Sequence, residues 1–211
     1  MRKSILFTLC CLSALAALPA AAQVGISAGL SFPGKDMRDN GTGYYSELRI
    51  GSVVGIQYNY GLTERVDLLA GLDFTDHILG QMAMRRMGDN YKLYPSYMTF
   101  SMMVGGAYKI DFDGQGFVNP AHHAFVELRS GLNFSTHSHA VLEGDGGRST
   151  VKYKGSWSPG FSVGVGMKFS RSSSIALRYS DFGDAVVRRE DTGVISRYSP
   201  RTVELRYTFW L

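Results

Sequence analysis

The feature that most constrains this chain is an alternation of apolar and polar residues that recurs in eight separate runs. Successive side chains of a β-strand point to opposite faces, so a period of two predicts strands with one apolar and one polar face. The runs cover residues 24–32, 47–60, 65–75, 98–111, 124–135, 157–169, 175–180 and 202–211. No helical period is sustained between them. The pattern therefore predicts an all-β chain with eight antiparallel strands.

The segments between the runs alternate in length. The long loops span about 33–46, 77–96, 136–154 and 183–200. The shorter turns span about 61–64, 113–122 and 170–173. In an up-and-down meander, alternate connections lie at opposite rims, and outer-membrane barrels have short periplasmic turns and long extracellular loops. We therefore expect an eight-stranded antiparallel up-and-down transmembrane β-barrel, with both chain ends on the short-turn side.

A soluble barrel whose apolar face lines a cavity would show the same alternation. Glycines on the polar face favour a membrane barrel, because they fit a narrow, crowded interior. These glycines are Gly51, Gly55, Gly71, Gly105, Gly131, Gly160, Gly164 and Gly166. The mean hydropathy of −0.06 is also what a barrel with one lipid-facing and one polar face would average.

Aromatic residues on the apolar face concentrate at both ends of the runs, as in the aromatic bands of membrane barrels. Those expected at the long-loop rim are Phe32, Phe74, Phe134, Trp157 and Tyr179. Those expected at the short-turn rim are Tyr58, Tyr60, Tyr108, Phe169 and Phe209. Several runs also reach the ~9–11 residues that a tilted strand needs to cross a bilayer.

The N-terminus has the pattern of a secretory signal peptide, which we assign to residues 1–22, leaving 23–211 as the barrel. A basic start precedes an apolar stretch that is shorter than the ~20 residues of a membrane-spanning helix. Residues 20–22 are alanines, which suit signal-peptide cleavage. Both cysteines, Cys10 and Cys11, lie in this segment. The exported chain would therefore have no disulfide, thiol nucleophile or cysteine metal ligand.

Charged residues on the polar face are expected to project into the barrel. They are Glu47, Arg49, Arg65, Asp67, Asp73, Lys109, Asp111, Glu127, Arg129, Lys168, Arg178, Glu204 and Arg206. This set holds seven cations and six anions, whereas a charge-selective pore would show a clear excess of one sign. Buried charges are tolerated when they are paired. We therefore expect a lumen plugged by ion pairs.

The chain resembles the small outer-membrane β-barrel family of Gram-negative bacteria, the OmpA-transmembrane, OmpX-like and PorT-like barrels. The resemblance rests on the signal peptide ending in Ala20-Ala21-Ala22-Gln23, on Tyr60-Gly61-Leu62-Thr63-Glu64-Arg65-Val66-Asp67-Leu68, and on Val203-Glu204-Leu205-Arg206-Tyr207-Thr208-Phe209. It implies a location in the bacterial outer membrane, contact with outer-membrane lipids and lipopolysaccharide, and insertion by the barrel-assembly machinery. That machinery reads a last strand that typically ends on an aromatic residue, whereas this chain ends Phe209-Trp210-Leu211.

Some barrels of this size are lipid A-modifying enzymes that use a His and a Ser near the outer rim. Ser135 and His137 share the polar face at the end of a predicted strand, and Ser138, His139 and Glu143 follow. Such residues could serve as nucleophile, base and orienting carboxylate. Ser and His are also common in polar loops, and the spacing differs from the His-x-Ser of the deacylases. We therefore predict no catalytic residues.

We predict no metal or cofactor site either. His122 and His123 are adjacent, so on a strand they would point to opposite faces. Asp111-x-Asp113-Gly114 lacks the further ligands of a calcium loop and indicates a turn.

The loop 77–96 carries two kinds of candidate contact. Its basic residues could bind lipopolysaccharide phosphates; they are Arg85, Arg86 and Lys92. Its adaptable apolar residues indicate a protein partner or a lid; they are Met82, Met84, Met87, Tyr91 and Tyr94. Solvation of the loop and its packing against neighbouring loops would explain the same residues. The basic residues of the whole chain are scattered, so no nucleic-acid partner is expected.

These features favour a non-enzymatic envelope protein that acts through its structure and its surface loops. The alternatives are a component of a secretion or small-molecule transport system and, less favoured, a lipid A-modifying enzyme. Members of the family range from structural anchors and adhesins to secretion-system components, so the resemblance does not fix a role.

Overall fold

The computed structural model describes residues 22–34, 50–78, 91–111, 118–144 and 147–211. In chain order its strands are β1 (Ala22–Pro33), β2 (Gly51–Gly61), β3 (Val66–His77), β4 (Tyr91–Leu93), β5 (Tyr97–Ile110), β6 (His123–His137), β7 (Ala140–Gly144), β8 (Gly147–Val151), β9 (Tyr153–Lys154), β10 (Ser156–Ser170), β11 (Ser173–Asp181), β12 (Ala185–Arg189), β13 (Ile195–Tyr198) and β14 (Arg201–Trp210). Across these described residues there is no helix of a length and hydropathy that could cross a membrane.

Eight of the strands form one closed antiparallel barrel, in the order β1-β14-β11-β10-β6-β5-β3-β2. Each barrel strand pairs with the one before and the one after it along the chain, and β1 closes the cylinder against β14. Ile26 lies opposite Phe209 at this seam, and Leu30 lies opposite Leu205. The predicted eight-stranded up-and-down barrel is therefore confirmed.

The short turns and both ends of the described barrel lie at one rim. In the first of these turns the amides of Leu62 and Thr63 both donate to the carbonyl of Val66, at 2.9 and 3.0 Å. The strand therefore begins at Val66, and Arg65 lies exposed in the turn, where it donates to the Tyr108 hydroxyl at 3.4 Å. The prediction that Arg65 projects into the lumen is wrong, because Arg65 belongs to the turn at the rim, where its side chain is exposed and reaches the Tyr108 hydroxyl.

The apolar face of the barrel points outward, as predicted. Val104 and Leu128, for example, each expose 62% of their surface. At the long-loop rim four aromatic residues lie side by side on adjacent strands. The row runs through Phe74, Phe100, Phe134 and Trp157. Tyr108, Phe169 and Phe209 are exposed near the other rim. The two predicted aromatic bands are therefore present.

The long-loop rim carries two small sheets that the sequence did not predict. One has the order β4-β7-β8 and the other the order β13-β12-β9. Buried residues of the two sheets, with Phe182 from the segment between β11 and β12, form a small apolar core above the barrel: Ala140, Val141, Val151, Phe182, Ala185, Val187 and Tyr198. Segments that we expected to be plain loops are thus partly strands packed over the rim.

Several predictions fall outside the described residues. They concern residues 1–21 of the signal peptide, Glu47, Arg49, Met82, Met84, Arg85, Arg86, Met87, Asp113 and Gly114.

Candidate functional site: the barrel lumen

The middle of the lumen is crossed by a continuous chain of ion pairs. Its members alternate in sign, and they come from β3, β6, β11 and β14. In order along the chain they are Glu204, Arg206, Asp73, Arg178, Glu127 and Arg129. The three arginines and three carboxylates of this ion-pair chain have formal charges that cancel.

Asp73 joins the two halves of the ion-pair chain. One carboxylate oxygen accepts from Arg206 Nη1 at 2.5 Å, and the other accepts from Arg178 Nη1 at 3.3 Å. Arg206 turns its Nη2 towards Glu204, at 2.8 Å. The carboxylate of β3 thus reaches across the interior to two adjacent strands, β11 and β14.

Glu127 continues the ion-pair chain on the other side of Arg178. It accepts from Arg178 Nε at 2.6 Å and from Arg129 Nη2 at 2.7 Å. Arg129 Nη2 also donates to Gln57 Oε1 at 2.9 Å, which brings β2 into the network. The network therefore joins five strands through the lumen: β14, β3, β11, β6 and β2.

These charged side chains are almost fully buried, each at 5% exposure or less. Such burial is tolerated because every arginine faces at least one carboxylate, whereas an unpaired charge would carry a large desolvation cost. The predicted inward charges confirmed by the structure are Asp67, Asp73, Lys109, Glu127, Arg129, Lys168, Arg178, Glu204 and Arg206. Asp111 lies half-buried just past the end of β5.

Glycines on the inner face make room for the network. A Cβ added to Gly71 would lie 3.1 Å from Arg129 Nη1, and one added to Gly164 would lie 3.0 Å from Glu127 Oε1. Both separations are tighter than ordinary van der Waals contact. Gly71 and Gly164, two of the glycines that the sequence placed in a crowded lumen, therefore border its charged groups.

A second polar layer lies towards the short-turn rim. Lys109 Nζ is 2.7 Å from Asp67, and Lys168 Nζ donates to Gln23 at 2.7 Å. Trp210 turns into the lumen, where its Nε1 donates to Ser174 at 2.9 Å and its ring centroid is 5.4 Å from Lys168 Nζ. A cavity of about 30 Å³ remains here, which is room for only a few water molecules.

Aromatic residues close the lumen towards the long-loop rim. His137 Nε2 lies 2.9 Å from the Tyr198 hydroxyl, and its ring is 5.5 Å from that of Tyr97. Tyr97 and Tyr198 are only 1% and 2% exposed. The carbonyl of Phe182 accepts from Ser158 Oγ at 2.7 Å and from the side-chain amide of Asn133 at 3.2 Å.

The sequence did not point to the aromatic members of the lumen. Trp210, Tyr97 and Tyr198 break the rule that the inner face is polar, and each is held by a partner distant in sequence. Alternation offers one signal for two of them. Trp210 follows the outward-facing Phe209 and Tyr97 precedes Met98 of the apolar face, so both Trp210 and Tyr97 should point into the lumen.

The structure separates two of the catalytic candidates, Ser135 and Glu143, from the other three, His137, Ser138 and His139, which line one groove at the long-loop rim. Ser135 is fully buried, and its hydroxyl lies 3.2 Å from that of Thr99. His137 instead faces Tyr198. Glu143 is exposed on β7, where it pairs with Lys92 at 3.2 Å. Ser138 Oγ accepts from the amide of Ser96 at 2.8 Å.

The adjacent histidines behave as the alternation predicts. His122 is exposed and His123 is buried, with its Nδ1 2.8 Å from the carbonyl of Asn119. Within the described part of the chain there is no group of three or more His, Cys, Asp or Glu side chains that could hold a metal ion.

Comparison with known proteins gives a structural likeness only. No protein-family model and no curated protein matches the sequence. Among solved structures, Neisserial surface protein A has a TM-score of 0.50 at 14% identity, covering 91% of this chain and 97% of its own. A major outer-membrane protein of Thermus thermophilus has a TM-score of 0.47 at 13% identity, covering 90% of this chain and 100% of its own.

OprG of Pseudomonas aeruginosa has a TM-score of 0.44 at 15% identity, covering 90% of this chain and 96% of its own. At such identities a likeness shows the fold alone. The resemblance drawn from the sequence is confirmed at that level: the chain has the eight-stranded barrel fold of small outer-membrane proteins.

Proposed function

We propose that this chain is a non-enzymatic integral protein of the outer membrane, closed to ions, that acts as a structural and surface protein through its long-loop rim. One observation carries the proposal. The inner face of the barrel is filled by a neutral chain of buried ion pairs, while the outer face is apolar between two aromatic bands.

The apolar outer face of the barrel supports the proposed location in a lipid membrane. Large aliphatic and aromatic side chains are exposed on every barrel strand, and a soluble protein rarely exposes so extended an apolar surface. A soluble cavity barrel would place that surface inside, where this chain has arginines and carboxylates. The aromatic bands would lie at the two headgroup regions.

Export and orientation belong to the proposal. Residues 1–22 would direct export and be removed, the assembly machinery would insert the barrel, and both ends would be periplasmic with the long loops outside. N-terminal sequencing of the protein from outer-membrane fractions should then begin at Gln23. Unboiled samples should migrate faster than boiled ones on a gel, whereas recovery in the soluble periplasmic fraction would contradict the membrane location.

A closed lumen is the second part of the proposal. An ion crossing the barrel would have to displace arginines that each contact one or more carboxylates, at a layer with under 6% side-chain exposure. Planar bilayers containing the purified protein should therefore show no resolved conductance steps. Regular steps would favour the alternative function, a component of a transport or secretion system.

The absence of catalysis is the third part. Burial of Ser135 and His137, and the distinct partners of each, support it. Mass spectrometry of lipid A from cells that express the wild-type protein, the His137→Ala variant or neither should give the same spectrum. A lipid A species that depends on the wild-type protein would support the enzymatic alternative.

The fourth part of the proposal concerns the partners of the protein. Outer-membrane lipids and lipopolysaccharide would surround the barrel, and a protein partner would bind at the loop 77–96. Pull-down from intact cells, with this loop present or deleted, tests the protein partner: a specifically captured protein should disappear with the deletion.

A further inference from the structure

The small sheet formed by β13, β12 and β9 stands above β6 and β10 at the long-loop rim. The amide of Val186 donates to the Ser156 hydroxyl at 2.7 Å, which fixes β12 to the first residue of β10. The inward-facing side chains of the sheet are buried; they are Ala185, Val187 and Tyr198. The opposite side of this sheet therefore faces away from the barrel.

That outer side is a cationic face, which we define as Lys154, Val186, Arg188, Ile195 and Arg197. Arg188 lies opposite Lys154 on one neighbouring strand and opposite Ile195 on the other. Arg197 lies opposite Val186. All five residues are exposed, so three cations and two aliphatic side chains share one solvent-facing surface.

The three cations of this face carry a local charge surplus. Of the carboxylates in the described part of the chain, none lies within ion-pair distance of Lys154, Arg188 or Arg197. A neighbouring arginine, by contrast, is paired with a carboxylate. Arg189 donates to both carboxylate oxygens of Asp191, at 2.7 and 2.8 Å, and these hydrogen bonds lower the pKa of that carboxyl.

The cationic face borders the aromatic band of the barrel. An open groove of about 800 Å³ is lined by one residue of the cationic face, Lys154, by the apolar side chains of Met98, Phe134 and Trp157, and by the polar residues Thr136, His137 and Ser138. The Phe134 and Trp157 rings lie 5.2 Å apart, and Trp157 is 56% exposed. His139 and one carboxylate, Glu190, also line the groove.

We propose that the cationic face binds the phosphates of lipid A, the phosphorylated and acylated part of lipopolysaccharide, while an acyl chain lies along Met98, Phe134 and Trp157. Guanidinium groups match phosphate oxygens in geometry and charge. The apolar side of the groove is continuous with the lipid-facing band, so the ligand is a membrane lipid. This inference rests on the proposed function, because it needs the long-loop rim in the outer leaflet.

The test uses the barrel refolded in zwitterionic detergent and titrated with bisphosphorylated lipid A, with bound lipid counted by native mass spectrometry. The double variant Arg188→Gln/Arg197→Gln should bind roughly 10- to 25-fold more weakly than the wild type, since each of the two basic residues near a lipid surface contributes a factor of about three to five to the affinity. The matched control Arg65→Gln/Arg171→Gln removes two exposed arginines at the opposite rim and should change the affinity by less than about twofold.

Equal weakening by the two double variants, or no binding of lipid A by the wild type, would overturn the inference. Lipid A without its phosphates should bind the wild type as weakly as bisphosphorylated lipid A binds the Arg188→Gln/Arg197→Gln variant; binding as tight as that of the phosphorylated form would also overturn it. Displacement of lipid A by an equal concentration of inorganic phosphate would identify free phosphate as the ligand instead.

Heat-modifiable migration of every variant separates this inference from the proposed function. A wild-type protein that lacks it would refute the membrane location itself. A heat-modifiable protein whose two double variants bind lipid A equally would refute the lipid A site alone.

Discussion

Asp73 is the residue on which the two halves of the ion-pair chain depend. It accepts from Arg178 and from Arg206, two side chains on different strands. Asp73→Ala would leave the ion-pair chain with three cations and two anions at nearly full burial. We expect the free energy of unfolding, measured in urea with the protein in lipid vesicles, to fall by about 3–5 kcal/mol.

The matched control for this loss is a carboxylate whose pair is exposed. Glu143→Ala breaks the contact with Lys92, in which the two side chains are 58% and 55% exposed. Exposed pairs contribute about 0–1 kcal/mol. Similar losses for Asp73→Ala and Glu143→Ala would show that the ion-pair chain does not stabilise the barrel.

Two adjacent glycines test how tightly the inner face is packed. A Cβ on the inward-facing Gly105 would collide with the carbonyl oxygen of Leu128 and lie 2.7 Å from Arg129 Cα. A Cβ on the outward-facing Gly106 would have its nearest neighbour at 3.4 Å. We expect Gly105→Ala to cost about 1–3 kcal/mol in urea unfolding. Gly106→Ala should be neutral or stabilising by up to about 1 kcal/mol; the reverse order would contradict the inward and outward assignment.

At this scale the sequence predicted which charges enter the lumen but not how they pair. Alternation decides the face of a residue, whereas pairing depends on the stagger between strands. Asp73 and Arg206 are 133 positions apart, and no pattern along one sequence relates them. The prediction for Arg65 is wrong for a different reason: the alternation continues through Arg65, but this residue lies in the turn before the strand Val66–His77, where its side chain is exposed.

At the scale of elements, the barrel strands could be predicted and the strands of the rim could not. A barrel strand repeats its alternation over ten or so residues because one face meets lipid throughout. The strands β8, β9 and β13 have only five, two and four residues, which is too short for a period to show. Their stability comes from burying residues such as Val151 and Tyr198 over the rim.

The β12–β13 hairpin is therefore an addition to the barrel and not part of its ladder. Asp184 and Ser199 flank it and share a hydrogen bond of 2.5 Å, so an Asn-Gly turn could join them in place of residues 185–198. We expect this variant to keep heat-modifiable migration. It should also expose His137, which is 3% exposed in the intact protein and covered by Tyr198.

Modification by diethyl pyrocarbonate, located by mass spectrometry, measures that exposure. His137 should react in the hairpin variant and resist in the wild type. The exposed His122 at the opposite rim should react in both and serves as the internal control. An unreactive His137 in the variant would show that other groups close the mouth of the barrel.

At the scale of the whole molecule, the mean hydropathy of −0.06 results from an inverted arrangement. Charged residues are buried inside and apolar residues are exposed outside, so the average resembles that of a soluble protein whose layers are reversed. In the proposed membrane location, the exposed apolar surface and the buried ion pairs would have a common cause: lipid around the barrel and a narrow interior.

Depth in the bilayer supplies the sharpest test of that arrangement. Val104 is 62% exposed and lies four residues from Phe100 and from Tyr108, midway between the aromatic bands. An arginine at the midplane of a membrane barrel costs about 2–4 kcal/mol. We therefore expect Val104→Arg to lower the free energy of unfolding in lipid vesicles by that amount.

The control places the same charge outside the apolar belt. Leu62 is 56% exposed in the short turn, where water and headgroups solvate a guanidinium, so Leu62→Arg should cost about 0–1 kcal/mol. In water the two sites would be equivalent, because both side chains are more than half exposed. A clear difference between the two variants thus requires lipid around Val104, and equal small effects would place this face of the barrel in water.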